Sequence, residues 1–471
     1  MPEIDLLAID RGSVMAPAGC GKTELITEAL KAHSGSKPIL VLTHTNAGVA
    51  ALRTRLNRAG VSSNRYRLVT IDGWALKLIK MFPSVSGHDP SITDVLNPRR
   101  DYPAIRQAAS ILLQRRHLWA LLQASYDRVI VDEYQDCNTV QHAIVCALAQ
   151  ELRTCVLGDP MQAIFSFGGN VLVDWEQEVS RFFPASGELN TPWRWKNAGA
   201  EDLGHWLLFA RGELLAGRAI DLRQAPSLGV EWHPLGSGND AEVRRQAAKT
   251  TISKPGARVL VIGEATNVTG HHDCAKQTPG AVVVEAVSLN QLIGFAEDFN
   301  PGAENGLSVL AAFAQSTITG VSSVELAKRL ATINSGRSRK SPSPAELEAL
   351  NFQKTPSYDT AARYLEVCHT MNGTRVFRPA LLFSGIESLR SAHQKGVTLK
   401  EAALQVRENY RAKGRKIPNR GVGSTLLLKG LEAEVVVILN GDQLTKQNLY
   451  VAITRGAMRV IVCSSSPILG I

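Results

Sequence analysis

The chain has 471 residues, a net charge of +9 at neutral pH and an isoelectric point near 9.2. Hydrophobic residues make up 44% and charged residues 20% of the sequence, as in a soluble globular protein, and the length favours roughly two to four domains. No signal-peptide pattern or membrane-spanning apolar run is present, and the seven cysteines include no CxxC pair, so the sequence argues against a secreted disulfide scaffold or an integral membrane protein and predicts a cytoplasmic one.

Short β-rich runs alternate with helical patterns in the first third of the chain, which is typical of a parallel α/β sheet. Apolar runs that end in polar residues predict strands at 38–43, 67–71, 128–133 and 154–159. Residues 46–60 carry apolar side chains at helical spacing and predict a helix. Strands of this kind are buried on both faces, and ligands gather at their carboxyl ends.

Two stretches of helical sequence, 81–125 and about 288–418, interrupt the strand pattern. Strand signals return at 257–263, 281–287, 434–439 and 458–463. Residues 331–420 contain sixteen Lys/Arg and seven Asp/Glu, with the densest basic runs at 337–340 and 411–416. This local excess indicates an electrostatic footprint for a polyanion.

Residues 16–23, "APAGCGKT", have the pattern of a phosphate-binding loop, although Ala16 stands where the first glycine is usual. Glycines are needed there because backbone N–H groups must close around phosphate oxygens without a Cβ in the way, and the following helix favours an anion at its N-terminus. Lys22 is expected to reach the β- and γ-phosphates, and Thr23 to bind Mg²⁺. The predicted contacts of the loop are Ala18, Gly19, Cys20, Gly21, Lys22, Thr23 and Glu24.

The other half of a nucleotide site is predicted at 129–137, "VIVDEYQDC", where an apolar strand ends in two acids. Asp132 is placed to hold Mg²⁺ through water, and Glu133 to polarise the attacking water. GTP is disfavoured because the chain contains no Asn-Lys-x-Asp guanine reader. The sequence therefore predicts ATP hydrolysis with Mg²⁺ as the metal.

The string "DEYQD" in this framework resembles motif II of UvrD/Rep-type superfamily 1A helicases. Segments similar to the other motifs of that family occur in the family's order, at 43–46, 70–73, 157–167, 189–195, 424–438 and 448–456. Together the matched parts cover roughly two fifths of the chain.

The resemblance implies an α/β fold of two RecA-like P-loop NTPase lobes, parallel sheets flanked by helices, each with a mainly helical insertion. Lobe 1A, which binds ATP, is expected to comprise 1–80 and 126–188, with a small 1B-like insertion at 81–125. Lobe 2A is expected to comprise 189–287 and 419–471, with a basic 2B-like insertion at 288–418.

The resemblance also implies roles for further residues of the nucleotide site. Gln135 and Gln162 are expected to sense the γ-phosphate, while Arg194 and Arg455 reach from the second lobe to stabilise charge on the transferring phosphate. Gly430 and Glu432 are expected to complete the site, with Glu432 at the ribose. A stacked core cluster is the alternative for Arg194, which lies between two tryptophans, and a surface position is the alternative for Arg455.

Six residues are expected to bind single-stranded DNA by the same resemblance. Thr43, Thr45 and Asn46 are placed to hydrogen-bond phosphates, a contact that is blind to sequence. Phe165 and Phe167, alternating on a presumed strand, and Trp74 are expected to stack on bases, with a core position as the alternative for all three.

The chain departs from the family at several DNA-binding positions. Asp72 stands where a histidine is expected and brings a negative charge near the DNA phosphates, and Leu426 replaces a second expected histidine. The first insertion is small, and we expect a partner to supply targeting or cleavage. Compact proteins of this kind occur beside OLD-family nucleases in the Gabija antiphage system, whose helicase-like subunit the chain resembles.

The first functional hypothesis is an ATP-dependent DNA translocase or helicase, moving 3′ to 5′ by the resemblance, that works with a partner nuclease in antiphage defence or repair. The alternative is a nucleic-acid-sensing ATPase that activates a partner nuclease without unwinding. An RNA substrate stays open.

Overall fold

The computed structural model describes residues 4–95, 97–115, 118–165, 171–251, 254–413 and 418–470, without the side chains of Ala412 and Lys413. Phe167 and residues 414–416 of the basic run 411–416 lie outside the described residues. The chain divides into two compact units. The first comprises Met1–Trp232, Gly441–Val460 and Ser464–Ile471, and the second comprises His233–Asn440 and Ile461–Cys463.

The first unit contains a six-stranded sheet whose five pairings are all parallel. Its strands are β1 (Arg11–Met15), β2 (Ile39–Thr43), β3 (Tyr66–Thr70), β4 (Arg128–Val131), β5 (Arg153–Gly158) and β6 (Ala185–Glu188), in the order β3-β2-β4-β5-β1-β6. On β2, Leu40 and Leu42 belong to one hydrophobic cluster, and Ile39 and Val41 belong to another. Because neighbouring side chains on a strand point to opposite faces, both faces of this sheet are buried.

Ten helices accompany this sheet in the described part of the first unit before residue 216. They are α1 (Lys22–Ala32), α2 (Asn46–Arg58), α3 (Ile71–Met81), α4 (Pro83–Ser86), α5 (Pro98–Gln114), α6 (Trp119–Ser125), α7 (Thr139–Leu148), α8 (Ser180–Phe182), α9 (Trp193–Ala198) and α10 (Glu201–Leu215). Side-chain caps fix several N-termini: Thr45 caps α2, Thr70 caps α3, and Asn138 forms a capping box with Gln141 on α7.

Two expectations for α3 change with the structure. Asp72 accepts two hydrogen bonds from the Arg106 guanidinium, at 2.7 and 2.6 Å, and one from Gln141 Nε2 at 2.8 Å. Its charge is therefore neutralised within the unit and is not a free negative charge facing DNA phosphates. Trp74 is 5% exposed and belongs to the hydrophobic core, so the core position fits it and base stacking does not.

A second six-stranded sheet has the order β10-β13-β9-β14-β15-β8. Its strands are β8 (Val230–Pro234), β9 (Val259–Gly263), β10 (Val282–Val283), β13 (Arg420–Ser424), β14 (Ala433–Ile438) and β15 (Gly456–Ser464). The β10–β13, β13–β9 and β9–β14 pairings are parallel. Two short antiparallel pairs complete the strands: β7 (Ile220–Asp221) with β16 (Ile468–Leu469), and β11 (Ile318–Thr319) with β12 (Arg375–Val376). The predicted α/β class with two RecA-like parallel sheets is confirmed.

The second unit is rich in helices. They are α11 (Asp240–Ala248), α12 (Val268–Gln277), α13 (Asn290–Asp298), α14 (Gly306–Thr317), α15 (Ser323–Asn334), α16 (Pro344–Lys354), α17 (Tyr358–Thr370), α18 (Pro379–Lys395), α19 (Leu399–Lys413) and α20 (Thr425–Leu428), and the last helix of the chain, α21 (Lys446–Ile453), belongs to the first unit. Helices α13 to α19 share one hydrophobic cluster. In the described ranges, every helix is too short or too polar to cross a membrane.

The middle of this helical cluster is tied to the core of the second sheet. Phe377 is fully buried among Val259, Val261 and Val422 of that core. The neighbouring Arg378 donates to Glu285 at 2.6 and 3.1 Å. Besides the chain connections at the two ends of the cluster, these contacts therefore provide a third attachment.

His272 lies edge-on to Phe377 with ring centroids 6.2 Å apart, and it makes this attachment sensitive to pH. Burial, together with the charge of Arg378, lowers the pKa of His272 to about 4. Its contribution to stability is therefore fully present above the unfolded-state pKa of about 6.5 and is lost as the pH falls toward 4, because the unfolded chain then binds the extra proton.

We expect the urea concentration at which half of the protein is unfolded to decrease as the pH is lowered from 7 to 4.5. In the His272→Gln variant this decrease should be smaller. Chemical unfolding at several pH values measures both slopes. Burial also lowers the pKa of His142 and His271, so His142→Gln provides a comparison from the first unit. Identical slopes for wild type and His272→Gln would contradict the assignment.

Candidate nucleotide-binding site

The loop between β1 and α1 takes a conformation that requires glycine at two positions. Gly19 has φ 71° and Gly21 has φ 91°, both in the left-handed region. A Cβ added to Gly19 would lie 2.5 Å from the Trp195 ring, and one added to Gly21 would lie 3.1 Å from Trp193 Cδ1. The loop then leads directly into α1, whose N-terminus begins at Lys22. Left-handed glycines before a helix N-terminus are the geometry of a phosphate cradle.

Lys22 joins this loop to the two predicted acids. Its Nζ lies 3.0 Å from Asp132 Oδ1 and 2.5 Å from Glu133 Oε1. Burial disfavours the charged form of Lys22, but the two carboxylates outweigh burial and hold its pKa above the ordinary value. Burial and the neighbouring Glu133 raise the pKa of Asp132, against the opposing effect of Lys22. The arrangement is a cation and two carboxylates at the carboxyl end of β4, next to the loop.

Glu133 is held in a conformation that few non-glycine residues adopt. Its φ is 55°, and among the described non-glycine residues only Val95 and Leu289 also have a positive φ. Such a backbone costs about 1–3 kcal/mol and persists only where its surroundings enforce it. The Glu133 amide donates to Asp132 Oδ1 at 2.9 Å, and Gln135 Nε2 donates to Glu133 Oε2 at 2.6 Å. The second contact fixes one oxygen of the Glu133 carboxylate.

The two predicted phosphate sensors both bind the buried residue Asp159, one at its backbone amide and the other at its carboxylate. The Asp159 amide donates to Gln135 Oε1 at 3.1 Å, and Gln162 Nε2 donates to Asp159 Oδ2 at 3.2 Å. A continuous hydrogen-bonded chain therefore runs from Glu133 through Gln135 and Asp159 to Gln162. We call it the Glu133–Gln162 relay.

Side chains from α9 and α21 pack against the loop. The Arg194 amide donates to Gly19 O at 3.0 Å, and the Arg194 guanidinium donates to Thr454 O at 2.6 Å while lying 5.2 Å from the Trp195 ring centroid. Tyr450 Oη accepts the Ala18 amide at 3.1 Å. The structure thus brings two sequence segments that follow the loop by more than 170 residues to its side.

Residues 101–173, which contain Asp132, Glu133, Gln135 and Gln162, match the family model of the UvrD/REP helicase N-terminal domain. The predicted resemblance to UvrD/Rep-type helicases is confirmed by this match, and the coarse functional class it supports is a nucleic-acid helicase.

No protein of curated function matches the chain significantly. Two similar solved structures are the arterivirus nonstructural protein 10 (helicase) in complex with DNA, with TM-score 0.36, and another structure of the same helicase, with TM-score 0.32. Each has 10% sequence identity to this chain, and each alignment covers 96% of this chain. This chain spans 60% and 59% of the length of the two helicase chains.

The remaining predicted nucleotide contacts have mixed surroundings. Thr23 is half-buried and Glu24 is exposed on the first turn of α1, 3.9 Å from Arg55. Cys20 is buried, and burial raises the pKa of its thiol to about 12, so the thiol is neutral. Outside the UvrD/REP domain match, Gly430 and Glu432 lie in the second unit between α20 and β14, and their contact with ATP stays a prediction.

Arg455 is 3% exposed, so the surface alternative does not hold. Its Nε donates to Val451 O at 2.9 Å, and its Nη2 donates to Thr454 Oγ1 at 3.1 Å. These bonds tie the Arg455 guanidinium to its own helix. Arg194 is half-buried and stacks on Trp195, which fits the alternative of a stacked core cluster. The catalytic roles of both arginines stay predictions.

The predicted DNA-binding residues of the first unit lie near the end of β2. Thr43 is 1% exposed, and its hydroxyl has no hydrogen-bond partner in the described part of the chain. Thr45 accepts the Gly48 amide at 3.0 Å as the cap of α2, and Asn46 is exposed on the first turn. The predicted strand position of Phe165 is wrong, because the residue lies outside the strands. Its half-buried ring lies 5.5 Å from the His44 ring, measured between centroids. The segment after Gln162 therefore borders Thr43–Asn46.

Four residues of the site were not among the sequence-based candidates: Trp193, Tyr450, Asp159 and Arg211. Asp159 lies within the predicted motif 157–167 and Tyr450 within 448–456, so the motifs contained a signal for both. Trp193 stands where the family has a tyrosine, and its side chain is 48% exposed beside Gly21. Nothing in the sequence singles out Arg211.

Proposed function

We propose that the protein is an ATP-dependent motor that couples ATP hydrolysis to movement on single-stranded DNA. The observation that supports this most is the Glu133–Gln162 relay. At one end it holds the acid beside Lys22, and at the other it leads into the segment whose Phe165 contacts His44. Such a chain is a physical path by which an occupied nucleic-acid surface alters the position of the hydrolytic acid.

The residues present fit Mg²⁺-ATP. The glycine-dependent cradle and Lys22 would hold the phosphates, and Thr23 and Asp132 would hold Mg²⁺, which supplies charge neutralisation for phosphoryl transfer when bound. Glu133 would take the proton of the attacking water at a carboxylate oxygen. Gln135 orients that carboxylate by its bond to Glu133 Oε2. The indole of Trp193 would cover the loop at Gly21.

The nucleic-acid surface of the first unit would use Thr45 and Asn46 at the N-terminus of α2, the buried hydroxyl of Thr43, and the Phe165 ring. Backbone amides at a helix N-terminus favour phosphate, and an aromatic ring stacks on any base. Phe167 is proposed as a second stacking ring on the resemblance alone.

A single-stranded oligonucleotide is expected to raise the steady-state ATPase rate several-fold, because its binding would act on Glu133 through the relay. Phosphate release measured with DNA, RNA and no nucleic acid checks the expectation. The matched variant is Phe165→Ala, which should retain the basal rate and weaken stimulation. An ATPase rate that no nucleic acid changes would refute the motor proposal.

Three finer features of the proposal rest on the resemblance: movement from 3′ to 5′, a partner nuclease of the OLD family, and a role in antiphage defence. Strand displacement on duplexes with a 3′ or a 5′ tail tests the direction.

A second candidate, a nucleic-acid-sensing ATPase that activates a partner nuclease without unwinding, draws support from Leu426, an apolar residue where a DNA-contacting histidine is expected. Unwinding by the isolated chain at low salt would count against this candidate.

A further inference from the structure

Arg211 on α10 is a buried arginine directly attached to the relay. It is 6% exposed, its Nε donates to Asp159 Oδ1 at 3.1 Å, and its Nη1 donates to Glu188 Oε1 at 3.3 Å. Its Nη2 is buried with no hydrogen-bond partner in the described ranges. Burying a guanidinium costs desolvation free energy, and this cost is offset only where a carboxylate such as that of Asp159 binds the charge.

Arg211 forms an ion pair with the Asp159 carboxylate. The same carboxylate accepts the Met161 amide at 3.1 Å and Gln162 Nε2 at 3.2 Å. The pair also lies close to the phosphate loop. Burial raises the pKa of Cys20 and of Tyr450, with Asp159 raising and Arg211 lowering each in addition. Tyr450 is the residue that accepts the Ala18 amide.

We propose that Arg211 is a positioning residue for ATP hydrolysis, acting through Asp159. Arg211 holds the carboxylate of Asp159, which accepts the bond from Gln162. The backbone amide of the same residue donates to Gln135, and Gln135 in turn donates to the Glu133 carboxylate. The inference rests on the proposed ATPase activity. It makes no use of nucleic acid, because its links are the bonds that join Arg211, Asp159, Gln135 and Glu133.

The variant Arg211→Met keeps the length of the side chain and removes its charge. We expect kcat for ATP hydrolysis to fall on the order of 10- to 100-fold, because Glu133 loses its fixed orientation. The KM for ATP should change less than about twofold, because Lys22 and the glycines are untouched. Arg211→Lys, which keeps the charge, should recover part of the lost kcat.

A purely structural role is separated by a matched control, Arg128→Met. Arg128 is also a buried arginine of the first sheet, 5% exposed, with its Nε 3.2 Å from Asp127 and its Nη1 donating to Leu6 O at 3.0 Å. It begins β4, at the end of the strand away from Asp132. Both variants should lose thermal stability, but only Arg211→Met should lose kcat when assayed well below both melting temperatures.

The rates are measured without DNA. A failure of DNA to stimulate the ATPase would therefore refute the motor proposal without affecting this test of Arg211. Equal kcat in Arg211→Met and wild type, or equal loss of kcat in Arg211→Met and Arg128→Met, would overturn the positioning role. A lower kcat in Arg211→Met alone, partly rescued in Arg211→Lys, supports it.

Discussion

Glu133→Gln is expected to reduce ATP turnover by about 10²- to 10⁴-fold while ATP binding persists. The amide is nearly the same size as the carboxylate and can still accept the bond from Gln135, but it cannot take a proton from water. The left-handed backbone at Glu133 is unchanged by the substitution, so the fold should be retained. Steady-state phosphate release gives turnover, and equilibrium binding of a fluorescent ATP analogue gives affinity.

Lys22→Ala is the contrasting variant at the same contact. Loss of the ammonium leaves Asp132 and Glu133 close together without their cation, and it removes the group expected to reach the phosphates. Both binding and turnover should therefore be lost. Lys31→Ala on the same helix is the control, since Lys31 is exposed and pairs with Glu28. Turnover near the wild-type rate in either Glu133→Gln or Lys22→Ala would place the hydrolytic site elsewhere.

The sheets could be predicted from sequence because apolar runs ending in polar residues are local features. The predicted strands at 38–43, 67–71 and 154–159 correspond to β2, β3 and β5 within one residue at each end. The strand predicted at 281–287 comprises only Val282–Val283 in the structure. After these residues the chain turns toward Leu289, and the Glu285 carboxylate accepts a hydrogen bond from Arg378. Phe165 leaves the strand pattern because the chain after β5 turns into the short helix Pro160–Gln162.

The contacts of the site were harder to predict, because they join residues far apart in the chain. Lys22 and the acids at the end of β4 belong to recognisable motifs. They approach each other because β1 and β4 flank β5 in one parallel sheet, so their carboxyl ends lie at the same edge. By contrast, the Ala18–Tyr450 bond spans 432 positions and the Arg211–Asp159 bond spans 52. The pairing of the Asp72 charge could not be predicted for the same reason, because its partner Arg106 lies 34 positions away on another helix.

Arg194→Ala is expected to lower kcat by about 10³-fold or more if its guanidinium stabilises the charge on the transferring phosphate, the size of effect that a catalytic arginine has in such enzymes. The backbone bond from Arg194 to Gly19 does not depend on the side chain, so the loop should keep its shape. A purely packing role predicts a different pattern, because the guanidinium also bonds Thr454 O and stacks on Trp195. Loss of those contacts alone would lower the melting temperature and leave kcat nearly unchanged.

Comparing Arg194→Ala with Arg194→Lys and Lys196→Ala separates the two roles. Lysine keeps the positive charge but not the planar fork, so part of the catalytic loss should return while the stacking on Trp195 does not. Lys196 is the control on the same helix: it is exposed, pairs with Glu201 at 3.5 Å and lies 5.6 Å from the Trp193 ring centroid. Its removal should leave kcat unchanged. A melting temperature lowered in Arg194→Ala with wild-type kcat would assign Arg194 to the packing of α9 and leave the buried Arg455 as the arginine to test next.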